Sequence, residues 1–303
     1  MTKPAARHRP RSIWDPVHIG IDETGAPVHL ELGERNVLIG GESGGGKSVA
    51  LQLLVAHAAL AADCCLVLFD GKLVELGLWR DCAERFVAHR SIDDAIEVNR
   101  WLQDKINDRA EWLLSQKRRK ITPDMGLRFY LAAIDEYAYF STVIKGTKTQ
   151  RGEFEDTCRD IAARGRFVGI IPVLATQRPS YQVIDPSLRD LFGYRWAFRC
   201  STSASSDCIL GQGWATAGYD ASDETLISPL ARGVSLLRAE DGKPRRIKTA
   251  YLTDDQIVTL AARAARTTTP EGDPACSPQT AQDTRPAPDT DTPQPARTLS
   301  TVP

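Results

Sequence analysis

The sequence predicts an α/β fold: a mostly parallel central sheet flanked by helices, with extra β-hairpins. Three observations carry that reading. Continuous apolar runs bounded by turn residues recur at 37–39, 66–70, 129–135 and 169–177, the pattern of strands buried on both faces. Stretches with helical spacing separate them. A glycine-rich turn at 41–48 joins the first run to the first helix, a strand-turn-helix unit.

In chain order, residues 1–13 carry Lys3, Arg7, Arg9 and Arg11 and no acid, which predicts a flexible basic arm. Segment 17–32 alternates apolar and polar residues around Glu23-Thr24-Gly25-Ala26, a hairpin ahead of the first core strand. After the helix that follows the glycine turn come a strand at 66–70 and another at 86–89. Ser91 with Asp93 and Asp94 reads as a helix start. Apolar residues Ile92, Ile96, Leu102, Ile106, Ala110 and Leu113 carry that helix to about residue 120. It then ends in Lys117-Arg118-Arg119-Lys120, either a solvated end complementing the helix dipole or a DNA-facing patch.

The strand at 129–135 ends in two acids, and 137–152 reads as a loop with Lys145, Lys148 and Arg151. A helix is expected over 153–168, then the strand at 169–177, which pairs fully only after Pro172 because proline has no N–H to donate. Segments 194–200, 233–237 and 245–252 suggest later strands, the last two joined by a turn at 240–243, and 254–266 a closing helix. From residue 267 to 303 threonine, proline, aspartate and alanine dominate, which predicts disorder. One α/β domain over 14–266 results.

Composition narrows the function. The chain has 303 residues, 42% hydrophobic and 25% charged, ordinary for a globular domain. The formal net charge of −1 gives no whole-molecule attraction to nucleic acid, so DNA contact needs local patches or a pore built by several subunits. Seven scattered cysteines without a C-x-x-C pair fit buried thiols in a reducing compartment rather than a disulfide frame or a zinc site. The start has no apolar leader core. The apolar run 49–69 contains Gln52, His57 and Asp63, so it reads as a core helix and strand of a soluble protein.

The chemistry sits at strand ends. Gly41, Glu42, Ser43, Gly44, Gly45, Gly46, Lys47 and Ser48 form a full G-x-x-x-x-G-K-S phosphate loop. Glycines let successive N–H groups turn around an anion, and the helix start adds its positive pole. Lys47 is expected at the β- and γ-phosphates of ATP, and the Ser48 hydroxyl on Mg²⁺. Asp135 is expected to act on Mg²⁺ through water, and Glu136 to polarise the attacking water. Gln177, ending the strand at 169–177, is either a γ-phosphate sensor or the polar start of a loop.

These motifs, with the string from Arg166 to Ser180 (RFVGIIPVLATQRPS), resemble the motor domain of the FtsK/SpoIIIE DNA translocases. Asp70-Gly-Lys72-Leu-Val-Glu75-Leu76 is similar to that family's D-x-K-x-x-E-L segment. Ile209-Leu210-Gly211-Gln212-Gly213 is similar to its I-L-D-Q-G, with Gly211 where aspartate is usual. The resemblance covers about residues 15–255. It implies a RecA-like P-loop ATPase that acts as a homo-hexameric ring and pumps double-stranded DNA. It also implies nucleotide and Mg²⁺ at Lys47 and Ser48, a Walker B pair at Asp135 and Glu136, a sensor at Gln177, and an arginine finger for the neighbouring subunit at Arg166, or instead at Arg164 or Arg178.

Lacking the membrane helices and winged helix of long members, the chain resembles the short transfer proteins of conjugative plasmids and integrative elements of filamentous actinobacteria. The leading expectation is therefore a cytoplasmic translocase in conjugation, recruited to the membrane by anchored transfer partners. Chromosome partitioning, protein secretion by a related ATPase and a nucleotide-gated regulatory module are the alternatives. Lys145, Lys148 and Arg151 are the expected DNA grip.

Overall fold

The structure, a computed structural model, describes residues 11–88, 91–239 and 242–267. Its described strands form one ten-stranded sheet, in the order β2-β1-β10-β9-β8-β3-β7-β6-β4-β5. The strands are β1 (Val17–Asp22), β2 (Pro27–Leu30), β3 (Val37–Gly40), β4 (Cys64–Asp70), β5 (Ala83–Ala88), β6 (Phe129–Ile134), β7 (Ile170–Thr176), β8 (Tyr194–Phe198), β9 (Val234–Arg238) and β10 (Arg245–Thr249). Strands β8-β3-β7-β6-β4-β5 pair in parallel. Strands β8-β9-β10-β1-β2 pair antiparallel, so β8 is the seam between a parallel and a hairpin half.

The helices are α1 (Lys47–Leu60), α2 (Ile92–Ser115), α3 (Lys148–Arg164), α4 (Pro186–Arg189), α5 (Ser203–Leu210) and α6 (Asp254–Thr267). Helix α1 is apolar nearly all round and buried from Ala50 to Ala58, as a helix sandwiched between a sheet and α6 must be. Helices α2 and α3 pack on each other, and Asn99 crosses between them to the Thr157 hydroxyl at 3.0 Å.

Several expectations shift by a few residues for identifiable reasons. Helix α2 stops at Ser115 rather than near 120, because Lys117 takes a left-handed φ of 54° and Arg118 N donates back to the Leu113 carbonyl at 2.9 Å. Lys117 to Lys120 therefore lie beyond the helix, not in its last turn.

Helix α3 begins at Lys148 rather than 153, since Thr147 and Gln150 form a reciprocal capping box. The expected loop at 137–152 thus holds a π-helical turn (Tyr139–Val143) and the first residues of α3. Pro172 restricts pairing on one side only. Strand β7 pairs with β3 from Val173 onward, but with β6 already from Ile170.

The expected strand end at His89, the turn residues Glu240 and Asp241, Cys276, most of the basic arm and the tail beyond 267 lie outside the described residues. The other six cysteines are buried thiols.

Candidate active site

Four neighbouring parallel strands end along one edge: β3 at the phosphate loop, β7 at Gln177, β6 at Asp135 and β4 at Asp70. Register aligns Gly40 with Thr176 and Phe69 with Ile134. A doubly wound sheet places ligands at such carboxyl ends, beside the strand where the order reverses.

The loop's shape follows from its glycines. Gly41 has φ 141° and Gly46 φ 119°. A Cβ on Gly41 would stand 2.9 Å from the Arg199 carbonyl oxygen, and one on Gly46 3.0 Å from Gly233 Cα. The loop is also tied to the seam. Glu42 N donates to the Arg199 carbonyl at 2.7 Å, the Glu42 carboxylate pairs with the Arg199 guanidinium at 2.9 Å, and Gly233 N donates to the Gly45 carbonyl at 3.1 Å.

Lys47 opens α1 and is 5% exposed. Its Nζ donates to the Glu42 carbonyl within its own loop at 2.6 Å. Burial pulls its pKa down to about 8, against the opposing fields of Glu136 and Asp135. The lysine is thus held inside the cradle.

Asp135 and Glu136 are both buried but held differently. Glu136 accepts from the Thr176 hydroxyl at 2.9 Å and from Gln177 N at 2.9 and 3.1 Å, which fixes its orientation across β6 and β7. Asp135 Oδ2 is buried without a hydrogen-bond partner. The Lys72 ammonium lies 3.7 Å from it. Burial pushes Asp135 up to about 7, and Lys72 acts in the opposite direction.

A buried carboxylate oxygen without a donor is costly by itself, and it suits a cation ligand. With the Ser48 hydroxyl at the start of α1, the residues present fit Mg²⁺ beside a triphosphate. The chemistry open to this donor set is nucleoside-triphosphate binding and hydrolysis.

A cavity of about 560 Å³ opens in front of the loop, lined by Ser43, Gly44, Gly46, Lys47, Ser48 and Gln177. Asp135 and Glu136 are not in its lining. They lie buried close enough to Lys47 to act on its charge.

The rest of the lining was not assigned to the site from the sequence: Val49 in the first turn of α1, Glu75 from the segment after β4, Arg232 and Gly233 ahead of β9, and Lys248, Thr249 and Tyr251 from β10 and its exit. For Glu75 and Lys72 a signal existed in the D-x-K-x-x-E-L likeness. The Asp70 carboxylate folds this segment around itself, accepting from the backbone N–H groups of Lys72, Leu73 and Leu76 at 2.8 to 3.0 Å. For the β9–β10 residues no motif exists.

The arginine candidates separate. Arg166 precedes β7, at the opposite edge of the sheet, with its guanidinium 4.8 Å from the centre of the Phe167 ring. It is not brought together with the other site residues within this chain. Arg164 is held by both oxygens of Asp160, at 2.6 and 2.5 Å. Arg178 is exposed and directly follows Gln177, on the same edge as the loop. Of the expected grip, Arg151 donates to the Ile144 carbonyl at 3.0 Å, and Lys148 is the first residue of α3, not a loop residue.

The FtsK/SpoIIIE family profile matches residues 3–233. Protein Tra of Streptomyces lividans is 30% identical over 262 residues, covering 80% of this chain and 40% of Tra. The DNA translocase FtsK of Borreliella burgdorferi is 28% identical over 261 residues, covering 81% of this chain and 31% of that protein. The chain thus spans less than half the length of these relatives.

Among solved structures, the pCW3 conjugation coupling protein TcpA with ATPgS superposes with a TM-score of 0.69 at 19% identity, over 87% of this chain and 73% of TcpA. The cytoplasmic domain of the Thermomonospora curvata type VII secretion ATPase EccC gives 0.68 at 19%, over 92% of this chain and 34% of that one. Both likenesses speak to the fold. With its phosphate loop, its carboxylate pair and a profile match over most of its length, the chain belongs to the FtsK/SpoIIIE family.

Proposed function

We propose that this chain is an ATPase motor that moves double-stranded DNA as a homo-hexameric ring, in the conjugative transfer of a plasmid or integrative element. One observation carries the catalytic part: the orphaned Asp135 oxygen beside a lysine-filled glycine cradle, with Glu136 already fixed by Thr176 and Gln177 N. The resemblance to Tra, and to FtsK translocases, supports the cargo.

In this reading Lys47 exchanges the Glu42 carbonyl for phosphate oxygens, and the backbone N–H groups opening α1 face the same charge. The Ser48 hydroxyl and Asp135 would hold Mg²⁺, which would supply charge neutralisation at the triphosphate. Glu136 orients the attacking water and accepts its hydrogen bond. Gln177 reports on the γ-phosphate through its position at the end of β7. The arginine finger is Arg166 acting on a neighbouring subunit's nucleotide, since its own nucleotide lies across the sheet.

Among the described residues no helix is long and apolar enough to cross a membrane. Membrane-anchored transfer partners would recruit the motor from the cytoplasm. The FtsK relatives favour a second reading, chromosome partitioning with the same motor.

The test is ATP turnover with and without duplex DNA, followed by displacement of a third strand from a triplex. Stimulation and displacement are expected. A flat turnover response with the triplex left intact overturns the DNA motor, and the absence of turnover overturns the ATPase.

A further inference from the structure

Lys72 takes no part in holding or cleaving ATP as proposed, yet its backbone is given a costly support. Residues 71–76 leave the end of β4 carrying Lys72, which pairs with Asp135, and Glu75, which lines the cavity in front of the phosphate loop. The fully buried Asp70 winds this segment by accepting from the N–H groups of Lys72, Leu73 and Leu76. Leu73 is driven to a φ of 64°, a region that L side chains rarely adopt and keep only where their surroundings fix them.

Both ends of the segment are fixed. Gly71 lies against the ring of Tyr139, in the turn that follows Glu136, so closely that a Cβ there would stand 2.6 Å from Tyr139 Cδ1. The Glu75 carbonyl accepts from the Gln52 side-chain amide of α1, and the Gln52 oxygen accepts from Trp79 Nε1 at 2.6 Å. Leu76 and Trp79 are fully buried beyond it. The backbone at residue 72 is therefore held beside the end of β6.

The Lys72 side chain is not held in the same way. It is 35% exposed, and its Nζ stands 3.7 Å from Asp135 Oδ2, near enough for an ion pair and too far for a hydrogen bond. The oxygen it faces is the one buried without a hydrogen-bond partner. Lys72 is also close enough to Lys47 for the two like charges to oppose each other. A flexible four-carbon stem lets the ammonium swing out to water while the backbone stays in place.

We infer that Lys72 is a positioning residue that contends with Mg²⁺ for Asp135 Oδ2. The ammonium and the metal ion are alternative cations for one buried oxygen, since two cations held there together repel each other where water screens them little. How readily the lysine leaves then sets how readily the metal loads. The inference rests on the Mg²⁺-nucleotide reading and adds to it a residue that tunes metal loading. Lys72 is not among the residues lining the cavity, and Lys47 already fills the glycine cradle, so a direct grip on the triphosphate is the poorer account of it.

The test reads binding rather than turnover. The affinity of the full chain for a fluorescent, non-hydrolysable ATP analogue is measured by anisotropy in EDTA and in saturating Mg²⁺, and the ratio of the two is the metal's contribution. A lysine seated on Asp135 roughly nine-tenths of the time weakens that contribution about tenfold, so Lys72→Gln is expected to raise the ratio by about three- to tenfold. Lys72→Met, which keeps the apolar stem, is expected to raise it as much, and Lys72→Arg, which keeps a cation, to hold the parent's ratio. In an Asp135→Asn background Lys72→Gln is expected to change nothing, because the charge the two cations share is gone. Lys248, whose ammonium donates to the Arg232 carbonyl on the cavity wall, is the control: Lys248→Gln is expected to leave the ratio in place.

An unchanged ratio in Lys72→Gln and Lys72→Met overturns the inference while the nucleotide reading stands. Affinity lost equally in EDTA and in Mg²⁺ overturns it too, by making Lys72 a phosphate contact. An equal rise in Lys248→Gln overturns it by reducing the effect to a general field. If the parent binds the analogue under neither condition, the nucleotide reading itself falls and takes the inference with it.

Discussion

In the parallel half of the sheet, β3, β4, β6 and β7 are buried at every residue. In the hairpin half, β2 alternates exposed and buried positions, and β10 buries only Ile247 and Thr249. The first arrangement is rigid on both faces, and it holds every group assigned to phosphate, metal or water. The second has one free face, and it contributes walls: Gly233, Lys248, Thr249 and Tyr251 complete the cavity without touching the carboxylates. Chemistry that needs sub-ångström placement is mounted on the half that cannot yield, and the adjustable half shapes the entrance.

That division can be broken by experiment. Lys47→Ala removes the charge inside the cradle and is expected to lower ATP turnover at least about a thousandfold and to abolish nucleotide binding, read by steady-state kinetics and a fluorescent ATP analogue. Glu136→Gln should reduce turnover by about a hundredfold or more while nucleotide still binds. Loss of binding there would mean that the parallel half cannot separate holding from cleaving.

Asp135→Asn should abolish Mg²⁺-dependent turnover and yet stabilise the nucleotide-free protein by ~1 to 3 kcal/mol, because it removes a buried charge with an unsatisfied oxygen. The sign of its pH dependence follows from Asp135 being raised to about 7, above an unfolded carboxylate. Ionisation costs the folded state stability above pH 7, and the cost disappears as pH falls from about 7 toward the ordinary carboxylate range. The variant's advantage in a melting series should therefore be largest near pH 8 and fade on acidification.

Tyr251→Ala, in the hairpin half, should raise KM for ATP by about two- to tenfold with kcat unchanged, the loss expected for one aromatic contact. A fall in kcat instead would place the hairpin half in the chemistry and erase the contrast.

How much of this could be read in the sequence divides along the same seam. The parallel strands announce themselves as apolar runs, and the glycine loop, Asp135 and Glu136 stand at their ends, so the position of the candidate site was legible. Local signals also placed Ser91 at the start of α2. The end of α2 was not legible, because a left-handed lysine leaves no composition signal. The start of α3 was overlooked although Thr147 and Gln150 carry a capping signature.

Lys72 was visible only as part of a likeness, since its approach to Asp135 depends on how the Asp70 carboxylate winds the intervening backbone. Lys248 and Tyr251 were invisible. They reach the cavity through an antiparallel addition that brings residue 248 to the same cavity as residue 47, an arrangement that no local pattern encodes.

Glu42 and Gly45 give the cradle two moorings, one to Arg199 beyond β8 and one to Gly233 before β9. A cradle fastened at both points cannot relax alone when its anion departs. The loop is thus joined to the strands on either side of the seam, and a displacement at the pocket is shared with β8 and β9 rather than absorbed within the loop.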